Sequence, residues 1–338
     1  MKKAIITGVT GQDGAYLAKF LLQKGYKVFG TRRRTSTPNI WRLENLGVLS
    51  NPNFNLLDSD ITDASDNIRL IEKCEPEEVY NLAAQSFVGV SFSQPKLTAE
   101  ITGIGTLNIL EAIRIVNKKI KFYQASSSEM FGKVEEIPQN EKTSFYPRSP
   151  YAAAKIFAHW STINYRESYD IFAACGILFN HESPFRGEEF VTKKITRGLA
   201  RIKLGKQDTV YLGNLKARRD WGHARDYVEA MWKMLQHNTA TDYVISTGRT
   251  ESIKSFVDIS CSALGFQTIW KGEGINEECV NIKNDKTLVK IKKEFFRPNE
   301  VDLLIGDASK AKKELNWIAK TSLEKLCQEM VDFDINDN

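Results

Sequence analysis

The sequence predicts an α/β fold, a doubly wound parallel sheet with a smaller, interleaved C-terminal lobe. Three observations carry this. An apolar strand pattern, Lys3 to Thr7, runs into a glycine-rich turn, Gly8-Val9-Thr10-Gly11-Gln12-Asp13-Gly14. A helical period follows, with Leu17, Phe20, Leu21 and Leu22 on one face, and Lys27 to Thr31 reads as a second strand. Strand-like and helix-like segments then keep alternating, the pattern of a parallel sheet covered on both faces.

Strand, glycine turn, helix and strand within about thirty residues form the Rossmann-type unit that binds dinucleotides. Gly8 allows the tight turn, Gly11 lets backbone N–H groups approach a pyrophosphate, and Gly14 lets helix and strand pack closely. Thr10, Gln12 and Asp13 complete the turn. The spacing is G-x-x-G-x-x-G, not G-x-G-x-x-G, so the flanking strands and helix carry the cofactor reading rather than the glycines alone. After the second strand, where an acidic residue ordinarily holds a free ribose hydroxyl, stand Arg32-Arg33-Arg34-Thr35-Ser36. Guanidinium forks match phosphate oxygens, so the cofactor expected here is NADP.

Phe54 to Ile61 reads as a third strand ending at Asp60, whose carboxylate is placed to accept from an adenine amino group, with Ile61 beside it. Glu78 to Ala84 reads as a fourth, and the small Ala83 and Ala84 after Leu82 at its end leave room for a cofactor ribose, with Ser86 beyond. A long helix is expected over about Thr98 to Val116, with Ile104, Leu107, Leu110 and Ile113 at helical spacing, and Lys121 to Ala125 is the fifth strand.

The chemistry follows that strand, at the C-terminal sheet edge where such folds place their sites. Ser126-Ser127-Ser128-Glu129 comes first, then Ser149-Pro150-Tyr151-Ala152-Ala153-Ala154-Lys155. Ser149 suits an N-cap and Pro150 the first helical turn, so Tyr151 and Lys155 lie one turn apart on one face. A free phenol titrates near 10. A lysine ammonium held nearby is expected to lower that value, letting Tyr151 take a proton from a sugar hydroxyl that Ser127 also holds. A lone Y-x-x-x-K is common in ordinary helices; the glycine turn and the serine run are what make this one catalytic.

These features resemble the extended short-chain dehydrogenase/reductase family. Longer strings are similar to one group within it, the GDP-mannose 4,6-dehydratases: Phe145 to Tyr151, Asn164 to Tyr169, Gly176 to Pro184, Phe190 to Thr196, Arg219 to Tyr227, Phe296-Arg297-Pro298 and Leu304 to Asp307. The resemblance implies a hydro-lyase that oxidises C4 of the hexose, eliminates water across C5–C6 and returns the hydride to C6. It assigns Glu129 as the base for the C5 proton and the acid for the departing C6 hydroxyl, beside Ser127, Tyr151 and Lys155. It places Arg219 and Arg297 on the pyrophosphate, Asn180 at the pyrophosphate–sugar junction, Val191 and Lys194 in a guanine pocket, Ser86 on the substrate side and His181 against the cofactor. It implies a homodimer or homotetramer in which residues 32–34 and the loop after them meet a neighbouring subunit. The lobes are expected to comprise about 1–178 plus 222–246 for the cofactor and 179–221 plus 247–330 for the substrate.

Three departures from the group keep alternatives open: Ser127 in place of threonine, Phe131 in place of tyrosine, and Phe185 in place of an arginine, which removes a substrate-side cation. The alternatives are a dehydratase of a related GDP-sugar (a manno-heptose or an N-acetylhexosamine), an NADP-dependent nucleotide-sugar reductase, epimerase or decarboxylase, and a dinucleotide-sensing regulator. The segment from about Phe266 to Phe296 is also shorter than usual for the group.

Composition sets outer bounds. The 338 residues carry a formal charge of +5, too mild for a nucleic-acid partner. No apolar run approaches the roughly 18 residues of a membrane span, and the first apolar stretch is too short for a signal-peptide core. The five scattered cysteines read as reduced packing residues, and the four histidines (His159, His181, His223, His237) are too dispersed for a metal site, with His181 and His223 structural. A cytoplasmic location is expected. Trp160, Trp221 and Trp317 read as core, and 334–338 as a frayed tail.

Overall fold

The computed structural model describes residues 1–296 and 303–337; Arg297, one of the two expected pyrophosphate ligands, lies outside the described residues. The chain begins with β1 (Lys3–Thr7), α1 (Gln12–Gln23), β2 (Lys27–Arg32), α2 (Trp41–Asn45), β3 (Phe54–Asp58), α3 (Ala64–Cys74) and β4 (Glu78–Asn81). Two short helices, α4 (Val88–Ser93) and α5 (Pro95–Thr98), lead through a π-helical turn (Ala99–Ile104) into α6 (Gly105–Val116). Next come β5 (Lys121–Ser127), α7 (Pro150–Tyr169), β6 (Ala173–Leu178) and β7 (Asn180–Glu182). Then follow α8 (Val191–Lys203), β8 (Val210–Leu212), β9 (Arg218–Arg219), β10 (Trp221–His223), α9 (Ala224–Gln236) and β11 (Tyr243–Ile245). Seven strands form one parallel sheet in the order β11-β6-β5-β4-β1-β2-β3. The direction of winding reverses between β1 and β4, and a reversal of that kind opens a crevice at the C-terminal strand ends.

The central strands are buried on both faces, which is why they read as apolar runs. Leu17 and Leu21 of α1 pack with Val28, Tyr227 and Met231 on one face, and Ile109 and Ile113 of α6 pack with Ile5, Val79 and Phe122 on the other. The polar exceptions sit where the strands end. Thr7 Oγ1 donates to Asn81 Oδ1 (2.7 Å) and accepts from the backbone N–H groups of Leu82 and Ala83 (3.1 Å each). Asn81 Nδ2 donates to Gln124 Oε1 at 2.8 Å. This buried network satisfies each amide and turns the chain after β4 across the crevice.

A second core forms around the later chain: α10 (Ile253–Ala263), which follows β12 (Glu251–Ser252), and a sheet of β13 (Thr268–Lys271), β14 (Glu278–Asn281) and β15 (Lys286–Ile291) ordered β13-β14-β15-β8. Phe256, Leu199, Leu288 and Met330 meet in it. The chain ends with α11 (Ser309–Leu315) and α12 (Leu323–Asn336). Among the described residues no helix is long and apolar enough to cross a membrane.

Four sequence expectations are corrected. The third strand stops at Asp58 and the fourth at Asn81, so Asp60, Ile61 and Leu82 to Ala84 lie in the loops beyond them. Trp160 is 55% exposed on α7, alongside exposed Phe157, whereas Trp221 and Trp317 are buried. Phe185 packs against Tyr16, Trp41 and Phe333 with ring centroids 5.4–5.6 Å apart, and it does not line the large cavity described below. The residues read as a frayed tail belong largely to α12, and Asp334 is fully buried there, pairing with Lys193 and accepting from Thr196 Oγ1 at 2.6 Å. Asn338 lies outside the described residues. All five cysteines are buried free thiols.

Removing one member of a buried ion pair strands the other's charge. Asp334→Ala is therefore expected to cost about 3–5 kcal/mol in denaturant unfolding, against about 0.5 kcal/mol or less for Asp332→Ala, at an exposed position of the same helix. Equal losses for the two variants would return the C-terminus to a frayed tail.

Candidate active site

The site is built on the crevice between β1 and β4. At the turn after β1, Gly8 has φ +67°, and a Cβ there would stand 3.0 Å from the backbone of Ala83. A Cβ on Gly14 would come within 2.6 Å of Gly8 O and Val9 Cα. Side chains at either position would fill the cradle. Gly11 occupies the N-cap of α1 and offers no side-chain acceptor. The first N–H groups of α1 thus point from a helix N-terminus without an internal cap, a donor set that suits a pyrophosphate. These residues fit a dinucleotide.

The turn is tied to the segment after β6. His181 Nε2 bonds Asp13 Oδ2 at 2.7 Å and its Nδ1 bonds Phe179 O at 2.7 Å. Both partners are acceptors, so the ring must donate from both nitrogens. Burial opposes the charge on His181, but Asp13 and the Phe179 carbonyl outweigh it and raise the imidazole above its usual range. Burial likewise pushes the Asp13 carboxyl up, and His181 overrides it and holds that carboxyl down. Gln12 Nε2 donates to His181 O (3.1 Å), and Gln12 Oε1 accepts from Ser183 Oγ (2.7 Å).

The residues expected to carry the chemistry come from β5 and α7. Ser149 Oγ accepts from Ala152 N at 3.1 Å and Pro150 takes the first position of α7. Tyr151 and Lys155 follow on the face buried against β5. Lys155 Nζ donates to Ala125 O at 2.6 Å and sits 5.8 Å from the centre of the Tyr151 ring. This corrects the expected electrostatics. Burial pushes the Tyr151 phenol up to about 12, opposed by its hydrogen bond with Ser127, and pulls Lys155 down to about 8. Lys155 makes its hydrogen bond to a carbonyl instead of the phenol oxygen. Ser127 Oγ also accepts from Glu129 N at 3.2 Å, fixing the turn that carries the carboxylate.

A cavity of about 580 Å³ opens over these groups. Asp13, Leu82, Ala84, Ser86, Ser127, Glu129, Tyr151, Lys155, Asn180, His181, Val191, Lys194 and Arg219 all line it. Arg219 is buried in its wall, and Asn180 presents a buried Oδ1 without a partner. Lys194 Nζ lies 3.4 Å from the Phe295 ring centre. Other expected residues stand outside the cavity lining. Ala83 backs Gly8, and Thr10 turns its carbonyl toward Arg42. Arg32 Nε pairs with Asp58 Oδ1 at 2.9 Å, and Arg33 is exposed beside it. Asp60 Oδ1 caps its own loop by accepting from Thr62 N (3.0 Å) and Thr62 Oγ1 (2.8 Å), while Ile61 is buried against α6.

Sequence reasoning missed Arg186, Glu182, Phe87 and Phe190, all in the cavity wall. Arg186 lies with its guanidinium 3.5 Å from the Phe190 ring centre and 3.0 Å from Glu182 Oε2. The signal was one residue away: Phe185 takes the place of a cation, but its neighbour keeps a guanidinium facing the cavity.

Comparison with known proteins adds family to geometry. Residues 5–330 match the family described as GDP-mannose 4,6 dehydratase. The GDP-mannose 4,6-dehydratase of Yersinia enterocolitica is 50% identical over 350 residues, covering 99% of this chain and 94% of the relative. Among solved structures, the dTDP-glucose 4,6-dehydratase of Streptomyces venezuelae with NAD and TYD bound superposes with a TM-score of 0.83 at 20% identity, covering 98% and 96% of the two chains. RMD from Pseudomonas aeruginosa complexed with NADPH gives 0.78 at 20% identity and covers both chains in full. At such identities the structures speak for the fold.

The Asp13–His181 tie makes stability depend on pH in a defined way. Asp13, held below its ordinary 3.8, contributes above that value and loses its share as pH falls through its folded pKa. His181, held above its ordinary 6.5, contributes fully below that value and loses its share as pH rises through its folded pKa. The gap in melting temperature between wild type and His181→Gln is therefore expected to be widest between about pH 4 and 6.5 and to narrow above it. A gap that widens from pH 6 to 9 would show that His181 is neutral in the fold.

Proposed function

The chain belongs to the GDP-mannose 4,6-dehydratase family, and from that premise we propose that it converts GDP-mannose to GDP-4-keto-6-deoxymannose, with Tyr151, Ser127 and Glu129 dividing the proton transfers. A bound nicotinamide dinucleotide supplies the hydride acceptor for C4 and the hydride donor for C6, along with the positive charge of its oxidised ring. Tyr151 takes the proton of the C4 hydroxyl as that carbon becomes a ketone, and Ser127 holds the same oxygen. The ketone acidifies the C5 hydrogen, because the resulting anion delocalises into the carbonyl. Glu129 removes that proton and delivers one to the departing C6 hydroxyl, so the carboxyl works first as base and then as acid. Water leaves, C6 takes the hydride back, and the proton that Tyr151 took from the C4 hydroxyl goes to C5, so the net change is a loss of H2O with no net redox.

One observation carries this reading over a reductase or an epimerase: Glu129 shares the cavity wall with Ser127 and Tyr151. Hydride exchange at C4 needs only the hydroxyl, the phenol and the lysine. A second proton-transferring group on the same wall is what elimination across C5–C6 requires. Arg219 supports the pyrophosphate assignment as a buried guanidinium of that wall, and Val191 and Lys194, with Phe295 beneath the lysine, support a pocket for the base.

For the dinucleotide the reading is NADP. Arg32 and Arg33 stand at the end of β2, and Arg33 is exposed where a 2′-phosphate needs a fork of donors. Arg33→Ala is expected to weaken NADP by about 10- to 100-fold in a calorimetric titration, the range of a hydrogen bond to a charged group, and to leave NAD unchanged. Equal losses for both would remove the 2′-phosphate from this loop.

Two variants separate the catalytic roles. Tyr151→Phe should lower kcat by about 10²- to 10⁴-fold while dinucleotide affinity is kept. Glu129→Gln should bind GDP-mannose normally and oxidise C4, yet lose water elimination by a similar factor and fail to exchange the C5 hydrogen with solvent deuterium. Wild-type formation of the 4-keto-6-deoxy sugar by Glu129→Gln, followed by proton NMR of the new methyl group, would remove that carboxylate from the mechanism.

A further inference from the structure

We propose that Arg42 is a positioning residue that clamps the glycine turn to the 180–186 segment, so that the dinucleotide site and the sugar-nucleotide site are held as one unit. The second site in this statement rests on the function proposed above. Arg42 lies in α2 and is only 9% exposed. Its Nε donates to Phe185 O at 2.7 Å, its Nη1 donates to Thr10 O at 3.3 Å, and its guanidinium lies 4.5 Å from the ring centre of Trp41. Among the described residues no carboxylate forms a direct ion pair with it; burial opposes its charge most, Glu189 favours that charge from a distance, and Arg186 opposes it. A buried cation without a direct ion-pair partner is costly, and an apolar side chain of similar volume would avoid that cost. What only a guanidinium offers is a planar fork that reaches two backbone carbonyls from different segments at once.

Those two carbonyls belong to the two halves of the site. Thr10 is in the glycine turn, between Gly8 and the uncapped start of α1. Phe185 stands between Glu182 and Arg186, whose side chains line the cavity. The bonds from Gln12 to His181 O and from Ser183 Oγ to Gln12 join the same two segments, and so does the Asp13–His181 pair. With Arg42 they leave the turn no freedom to shift without carrying the segment along. Ligand binding on one side therefore orders the other side before its own ligand arrives, which is positive coupling without any contact between ligands. Thermodynamic reciprocity requires the same factor in both directions.

The test is calorimetric, on the purified full chain, with GDP as the probe for one site and NADP for the other. In the wild type, GDP is expected to bind at least about fivefold more tightly at saturating NADP, and NADP to tighten by the same factor at saturating GDP. Arg42→Lys keeps the charge but loses the fork, and Arg42→Met loses both; in each the factor should fall toward one. Ser183→Ala, which removes one bond between the two segments and also the bond that Phe185 N donates to Ser183 Oγ, should give an intermediate factor. Equal GDP affinity with and without NADP in the wild type would overturn the inference, and so would Arg42→Lys with full wild-type coupling. GDP binds in both of those outcomes, so neither disturbs the reading of the cavity.

Discussion

Burial of one face of α7 against the end of β5 is the constraint on which the site depends. Tyr151, Lys155 and His159 lie on successive turns of that face. Each meets the last residues of the strand: Tyr151 bonds the Ser127 hydroxyl, Lys155 donates to Ala125 O at 2.6 Å, and His159 Nδ1 bonds Ser126 Oγ at 2.9 Å. The contact makes the groups precise and also withdraws them from water. Low dielectric favours uncharged forms, so the phenol rises to about 12 and the lysine falls to about 8. The pair is thus biased away from a phenolate beside an ammonium. Deprotonating Tyr151 depends on positive charge gathered near the cavity, and Arg186, which acts on Tyr151 in that direction, is part of the protein's own supply.

The parallel sheet fixes where this happens. Its winding reverses between β1 and β4, and the Thr7–Asn81–Gln124 network ties the ends of those strands to the middle of β5 beneath the crevice. The glycine turn enters from one side, and the segment after β6 enters from the other. Asp13, Gln12 and Arg42 join them through a charge pair, an amide and a guanidinium, in bonds that are buried or part-buried. On the proposed reading, the dinucleotide cradle and the sugar-nucleotide cavity share this seam.

What was legible in the sequence was local. Strand and helix periods place β1, β2, β5 and α1, and the Ser149-Pro150 start of α7 puts Tyr151 and Lys155 one turn apart. Strings of matching residues then pointed to the family. What was not legible depends on partners far away in sequence. Asp334 reads as a tail residue until α8 brings Lys193 and Thr196 to it. Trp160 reads as core until α7 turns it outward. Phe185 reads as a lost substrate contact until Tyr16, Trp41 and Phe333 gather around it. The reach of Lys155 for a carbonyl, instead of the phenol oxygen, follows from how deep α7 sits on β5, which no spacing rule encodes.

The proposed chemistry requires internal return of one hydrogen. GDP-mannose carrying deuterium at C4, incubated with the enzyme and its dinucleotide in ordinary water, should yield a 4-keto-6-deoxy product whose methyl group holds that deuterium, seen by NMR and as a one-unit mass increment on C6. Deuterium found in free dinucleotide or in solvent, with an unlabelled methyl group, would contradict it.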